Sequence, residues 1–231
     1  MFQDLLDFFF PKICASCDRA LVTNERVICT NCRNNLPLAN IHLQKRNEIE
    51  KLFYGRTRIE NATALLIFEK KGTTQRLMHD LKYRGNKAIS AELGKWSAKN
   101  LQETSWHSQI DAVVPVPLHK TRLRKRGYNQ VEGFGKTIAA ALNIPYDDTC
   151  LIKTHGVKTQ VFKNLAARFK NVEHSFEIDL KTTKALENKH ILLVDDIVTT
   201  GATLETCAEK LLGIPGTKIS IATMAITRRM R

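Results

Sequence analysis

Acids are scarce in this chain of 231 residues: 23 Asp and Glu stand against 36 Lys and Arg, a net charge of +13. That deficit turns the search for partners towards nucleic acid, phosphate-rich ligands or anionic surfaces, and leaves the fold open. Long apolar runs are missing as well. None approaches the roughly 18 residues that cross a bilayer, so no membrane span is expected. The opening MFQDLLDFFFP has two aspartates and no basic leader, which argues against a secretory signal and for a cytoplasmic protein. Repeats and low-complexity tracts are absent, and 43% hydrophobic with 26% charged residues excludes wholesale disorder. Aromatics make up only 7%, which keeps any stacking argument modest. One apparent phosphate loop lacks its key residue. Gly135-Lys136-Thr137 looks like the end of a Walker A loop, but Gln130 stands where glycine is required.

What is present divides unevenly. The length is about one and a half times a ~150-residue domain, so one large domain and one small module are expected. Four of the six cysteines are spaced Cys14-x2-Cys17-x11-Cys29-x2-Cys32. Each C-x-x-C pair brings two thiolates to one ion from a tight turn, and two pairs complete a tetrahedral site. Four thiolates leave zinc no open position, so the expected metal is structural Zn2+ rather than a reaction centre, with a redox pair of dithiols as the alternative. A module this small buries little core, and the metal should supply much of its folding free energy. Cys150 and Cys207 have no such spacing and read as small core residues.

Asp4–Phe10 is a short apolar segment expected to pack on the ribbon or the main domain, and the ribbon runs to about Pro37. Residues 38 to 60 show no clear period and read as a linker. Strands are expected at Ala62–Glu69, Asp111–Val114, near Cys150, at His190–Ile197 and at Lys218–Ile226. Helices are expected from Thr73, over Lys87–Leu101, over Arg126–Leu142 and over Thr203–Leu212. Pro115 and Pro117 cannot both serve a central ladder, so the chain should pass there into a rigid loop. Gly133 and Gly135, inside a helical pattern, point to close packing. Strand, helix and strand with nonpolar runs imply an α/β fold on a parallel sheet covered on both faces.

Charge is concentrated between 111 and 190, with 14 basic residues against 8 acidic ones. His119–Arg126 (HKTRLRKR) places Lys120, Arg122, Arg124, Lys125 and Arg126 in seven positions, in the loop expected after Pro117. Leu151–Val172 adds Lys153, Lys158, Lys163, Arg168 and Lys170 without one acid.

Ile191–Thr203 reads ILLVDDIVTTGAT. A buried strand delivers Asp195 and Asp196 near its C-terminal end, where ligands of open α/β sheets bind. The loop Thr199-Thr200-Gly201-Ala202-Thr203 then opens a helix whose amides and dipole favour a phosphate. Two carboxylates beside such a cradle need a task of their own: accepting hydrogen bonds from two ribose hydroxyls, or holding Mg2+.

This stretch resembles the phosphoribosyl-diphosphate (PRPP) motif of type I phosphoribosyltransferases. The resemblance implies that Asp195 and Asp196 hold the ribose hydroxyls, that Thr199 to Thr203 cup the 5′-phosphate, and that Mg2+ accompanies PRPP. Regulators that only bind PRPP share the motif, so it is stronger for fold than for turnover. Together with FFFPKICASC, LKYRG (Leu81–Gly85), VPVPLHKTRLRKRGYNQ (Val114–Gln130) and the positions Gln160, Arg168, Asn171 and Phe176, it resembles the ComF family over nearly the whole chain. That resemblance implies an open parallel sheet of the type I phosphoribosyltransferase kind over 61–231, a zinc ribbon with its apolar lead over 1–37, and a connection over 38–60. It also implies a place in natural transformation, with single-stranded DNA and DNA-uptake or recombination proteins as partners.

Two functions follow. In the first, the chain binds PRPP or a related phosphoribosyl ligand while handling DNA, with Tyr128, Phe162 and Phe169 as candidate stacking aromatics. In the second, an active transferase moves the phosphoribosyl group to a nucleobase or other nitrogen acceptor. Lys120, Arg122, Arg124, Lys125 and Arg126 would then meet the diphosphate, under a hood formed by residues 61 to 85.

Overall fold

The computed structural model describes residues 11–154 and 176–228. The N-terminal segment Asp4–Phe10, the run from 155 to 172 and its Phe162 and Phe169 lie outside them. The strands are β1 (Asn61–Ile67), β2 (Ala112–Pro115), β3 (Leu151–Lys153), β4 (Phe176–Ile178), β5 (His190–Val198) and β6 (Lys218–Ile226). The helices are α1 (Thr30–Asn34), α2 (Thr73–Tyr83), α3 (Lys87–Gln102), α4 (Lys120–Arg126), α5 (Glu132–Leu142), α6 (Thr183–Leu186) and α7 (Ala202–Leu212). Among the described residues none is long and apolar enough to cross a membrane.

One parallel sheet has the order β1-β6-β5-β2. Through the middle of β5 and β6 successive residues alternate between two cores, as a two-residue period requires. Leu192, Val194, Ala222 and Met224 face α2, α3 and α5. Ile191, Leu193, Ile219 and Ile221 face α7 and the β3–β4 hairpin. Cys150 and Cys207 are both fully buried on that second side.

Packing of α3 on α5 explains two glycines. A Cβ on Gly133 would lie 3.1 Å from the Ala91 nitrogen, and one on Gly94 2.8 Å from the Phe134 carbonyl oxygen. Gly135 faces the other way, where a Cβ would meet the Tyr146 ring at 2.6 Å.

Two segments differ from the sequence reading. Residues 38 to 60, read as a linker, are packed. Pro37 to Ala39 line the outer edge of β1, with Ile67 N–H donating to the Pro37 carbonyl (2.7 Å) and Ala39 N–H to that of Leu65 (2.9 Å). Further on, Ile49 and Phe53 enter the second core, and the buried Asn47 side chain donates to the Ala62 carbonyl at 2.7 Å. The apolar residues here are spaced irregularly because the segment follows a sheet edge and a single 3-10 turn (Glu50–Phe53). The second difference is the basic run, which is a helix rather than a loop. His119 caps α4, its Nδ1 accepting from the Thr121 amide at 3.2 Å, and Gly127 ends it at φ 79°.

Candidate functional site

β5 outruns its neighbour. β2 pairs with it only as far as Pro115 opposite Val194, after which β2 departs through Pro117. Pairing with β6 continues to Val198 opposite Ile226. Asp195 and Asp196 therefore sit where the sheet parts, held on one side and open on the other.

Both carboxylates are held from within. The Asp196 amide donates to Asp195 Oδ1 at 2.8 Å, and the Ile197 amide to Asp196 Oδ1 at 2.6 Å. The second Asp196 oxygen meets two side chains: Lys82 Nζ at 2.6 Å and Gln130 Nε2 at 3.1 Å. Gln130 in turn accepts from Arg126, at the end of α4. Burial and the adjacent Asp196 charge push Asp195 up to about 8, against the pull of the Asp196 amide, Lys82 and Lys153. Lys153, over the Phe176 ring at 4.4 Å, is itself pushed down by burial.

The loop after β5 leads into α7 through Gly201, at φ 80°. A Cβ there would meet Phe53 Cζ at 3.1 Å, so the left-handed backbone and the close approach both require glycine. Thr199 and Thr200 are exposed, while Ala202 and Thr203 are half-buried in the first turn of α7. Arg56 fixes the loop from below, donating to the Thr200 carbonyl at 3.1 Å and pairing with Glu205 of α7.

Of the basic candidates, Lys120, Arg122, Arg124 and Lys125 are exposed on α4, and Arg126 is half-buried against Gln130. Tyr128 is not a stacking surface. It is buried, its hydroxyl donates to the Leu81 carbonyl, and Lys87 Nζ lies 4.8 Å from its ring centroid. Of residues 61 to 85, expected as a hood, β1 is a strand of the sheet, and Lys82 at the end of α2 reaches Asp196. Lys82, Gln130, Arg56 and Phe53 received no role in the sequence, and Lys153 stood there only as one cation of the second basic run. Lys82 and Gln130 lie in LKYRG and RGYNQ, but which carboxylate they meet depends on tertiary contact across 114 and 66 positions.

The four cysteines form the second site. Their sulfurs lie within 4.8 Å of one another, Cys17 and Cys29 at 3.7 Å. A tetrahedron with ~2.3 Å metal–sulfur arms has edges of about 3.8 Å, so the set suits a metal such as zinc. Backbone amides already point at the sulfurs: Cys29 N–H to Cys14 Sγ at 3.2 Å and Cys32 N–H to Cys29 Sγ at 3.4 Å. Burial pushes the Cys14 thiol up, but hydrogen bonds from the Cys29, Ser16 and Cys17 amides outweigh it and bring it to about 7. The module is docked, not tethered. Cys14, Ile28 and Leu36 share the core beneath α2 and α3, Arg33 lies over Trp96 at 5.0 Å, and Arg76 pairs with Asp18.

Residues 131–230 match the phosphoribosyl transferase domain family. DNA utilization protein YhgH of Escherichia coli O157:H7 is 27% identical over 209 residues, covering 87% of this chain and 84% of that protein. Competence protein F of Haemophilus influenzae is 29% identical over 101 residues, 44% of each chain. Competence protein ComFC of Streptococcus pneumoniae is 36% identical over 115 residues, covering 50% of this chain and 47% of its own. With the acid pair at the parting of a parallel sheet and a four-cysteine cluster on the same domain, these likenesses support a ComF-family protein with a phosphoribosyltransferase-like domain.

Proposed function

We propose that the end of β5 binds a phosphoribosyl ligand, PRPP or a close relative, and that the chain serves the handling of incoming single-stranded DNA. The observation that carries the first part is the sequence of parts along one stretch of backbone: the parted sheet, two carboxylates, and a left-handed Gly201 opening α7. Asp195 and Asp196 accept from the ribose hydroxyls. The amides of the loop and the hydroxyls of Thr199, Thr200 and Thr203 take the 5′-phosphate. Mg2+ supplies charge neutralisation for the diphosphate, and Arg126, tied through Gln130 to Asp196, is the α4 cation assigned to the same group. The second part is supported by its likeness to a DNA utilization protein and to competence proteins, and by the exposed cations of α4, in a chain of net charge +13.

The test is thermal unfolding with and without Mg2+-PRPP, on wild type and on Asp195→Asn/Asp196→Asn. Ligand at ~100 times its dissociation constant stabilises by about 2.7 kcal/mol, which a melt resolves. A wild-type shift that vanishes in the double variant is expected, with affinity for single-stranded DNA equal or stronger once the acid pair's negative charge is gone. A missing wild-type shift overturns the phosphoribosyl reading. Loss of DNA binding in the folded double variant overturns the division of labour between the acids and α4.

A further inference from the structure

The acid pair already has its cations. Lys82 Nζ stands 2.6 Å from Asp196 Oδ2, in a contact where the lysine is largely covered and the carboxylate nearly so. Gln130 Nε2 donates to that same oxygen, and the backbone amide of Ile197 to the other. Asp195 feels the positive charge of both Lys82 and Lys153, the latter carried at the end of β3. These lysines come from elements far apart in the chain. The pair of carboxylates is thus matched by two ammonium groups before any ligand arrives.

A bare pair of adjacent carboxylates attracts a divalent cation, and an ammonium group within a few ångströms opposes it. We infer that Lys82 is the residue that makes this acid pair select a neutral diol over a divalent metal: it serves as the internal counter-ion of Asp196 and keeps a cation off the carboxylates. Lys82 is a positioning residue, acting through Asp196. The metal that accompanies a diphosphate then arrives on the phosphates and not on the aspartates. The inference rests on the preceding reading only for the identity of the diol.

Mn2+ alone, followed by the loss of its free electron-paramagnetic-resonance signal, tests this on full-length protein whose four-cysteine site has first been saturated with Zn2+. Wild type is expected to bind Mn2+ weakly. Lys82→Met should bind it at least about tenfold more tightly, since a repelling unit charge a few ångströms away has been removed. Adding Asp196→Asn should abolish the gain, and Lys82→Arg, which keeps the charge, should stay at the wild-type level. Far-UV circular dichroism establishes that each variant is folded. Should Lys82→Met not fold, Lys82→Gln, which can still donate to Asp196, is read the same way. The inference is overturned if the neutral variant binds Mn2+ no more tightly than wild type, if the gain survives Asp196→Asn, or if Lys82→Arg gains equally. Because the probe is metal alone, PRPP failing to shift the melt would overturn the phosphoribosyl reading and leave this result standing.

Discussion

Two charged regions meet at one end of the sheet and are built in opposite ways. The acid pair lies on a central strand, and amides, Lys82 and Gln130 hold its oxygens. The α4 cations stand out in solvent on a seven-residue helix, with only Arg126 tied inward. The first arrangement fixes atoms, which is what recognition of one small molecule needs. The second fixes a charge density, which suits a long polyanion whose phosphates can shift along it. Arg126 belongs to both, because its partner Gln130 also touches Asp196.

The comparison breaks most readily on the exposed side. Changing Lys120, Arg122, Arg124 and Lys125 together to Ala should lower affinity for single-stranded DNA on the order of a hundredfold at low salt. The log–log salt slope should also flatten by roughly 3, about 0.7 per cation. Fluorescence anisotropy across a salt series measures both, and the PRPP-induced melting shift should be unchanged. An unchanged slope would remove DNA from α4.

On the ordered side, Gly201→Val demands a left-handed β-branched residue and drives a side chain into Phe53. A loss of about 1–3 kcal/mol is expected in a denaturant melt, together with loss of the PRPP shift and with DNA binding intact.

A third effect runs upward. Asp195 ionises near 3.8 in the unfolded chain and near 8 in the fold. Between those values the folded protein keeps a proton that the unfolded chain has lost, so stability falls as pH rises through the window and levels off above it. Asp195→Asn removes that slope. Its melting temperature should match wild type near pH 4 and exceed it near pH 8, by roughly 2 to 4 °C for each kcal/mol recovered. A wild-type advantage at pH 8 would mean that the carboxylate is stabilised by its lysines more than it is penalised by burial.

The same contrast explains what could be read from the sequence. β5, the loop, α7 and β6 follow from a nonpolar run, an acid pair, small residues and a helical period in unbroken order, and the structure begins and ends each strand or helix within one residue of expectation. The cysteine cluster is equally local, because ligand spacing is itself the geometry. Lys82 could not be assigned its partner, since nothing near Leu81–Gly85 distinguishes a solvated lysine from one 2.6 Å from a carboxylate. Helix α4 has one apolar residue, Leu123, and so no period to detect; its histidine cap and Gly127 are the signals that were there. Tyr128 stands next to a basic run, yet burial was decided by the Leu81 carbonyl, 47 residues away.

The strip from Pro37 to Ala39 covers the outer rail of β1, taking up the Ile67 amide and the Leu65 carbonyl. Cutting the chain at Asn61, where the transferase-like half begins by pattern alone, would uncover that rail along a parallel sheet and withdraw Phe53 from beneath Gly201 in the same stroke. An exposed rail of amides and carbonyls is a template for another copy of itself. The excised half is therefore expected to pair edge to edge and come out of solution, so the ribbon, the strip and the sheet are inherited as one indivisible piece.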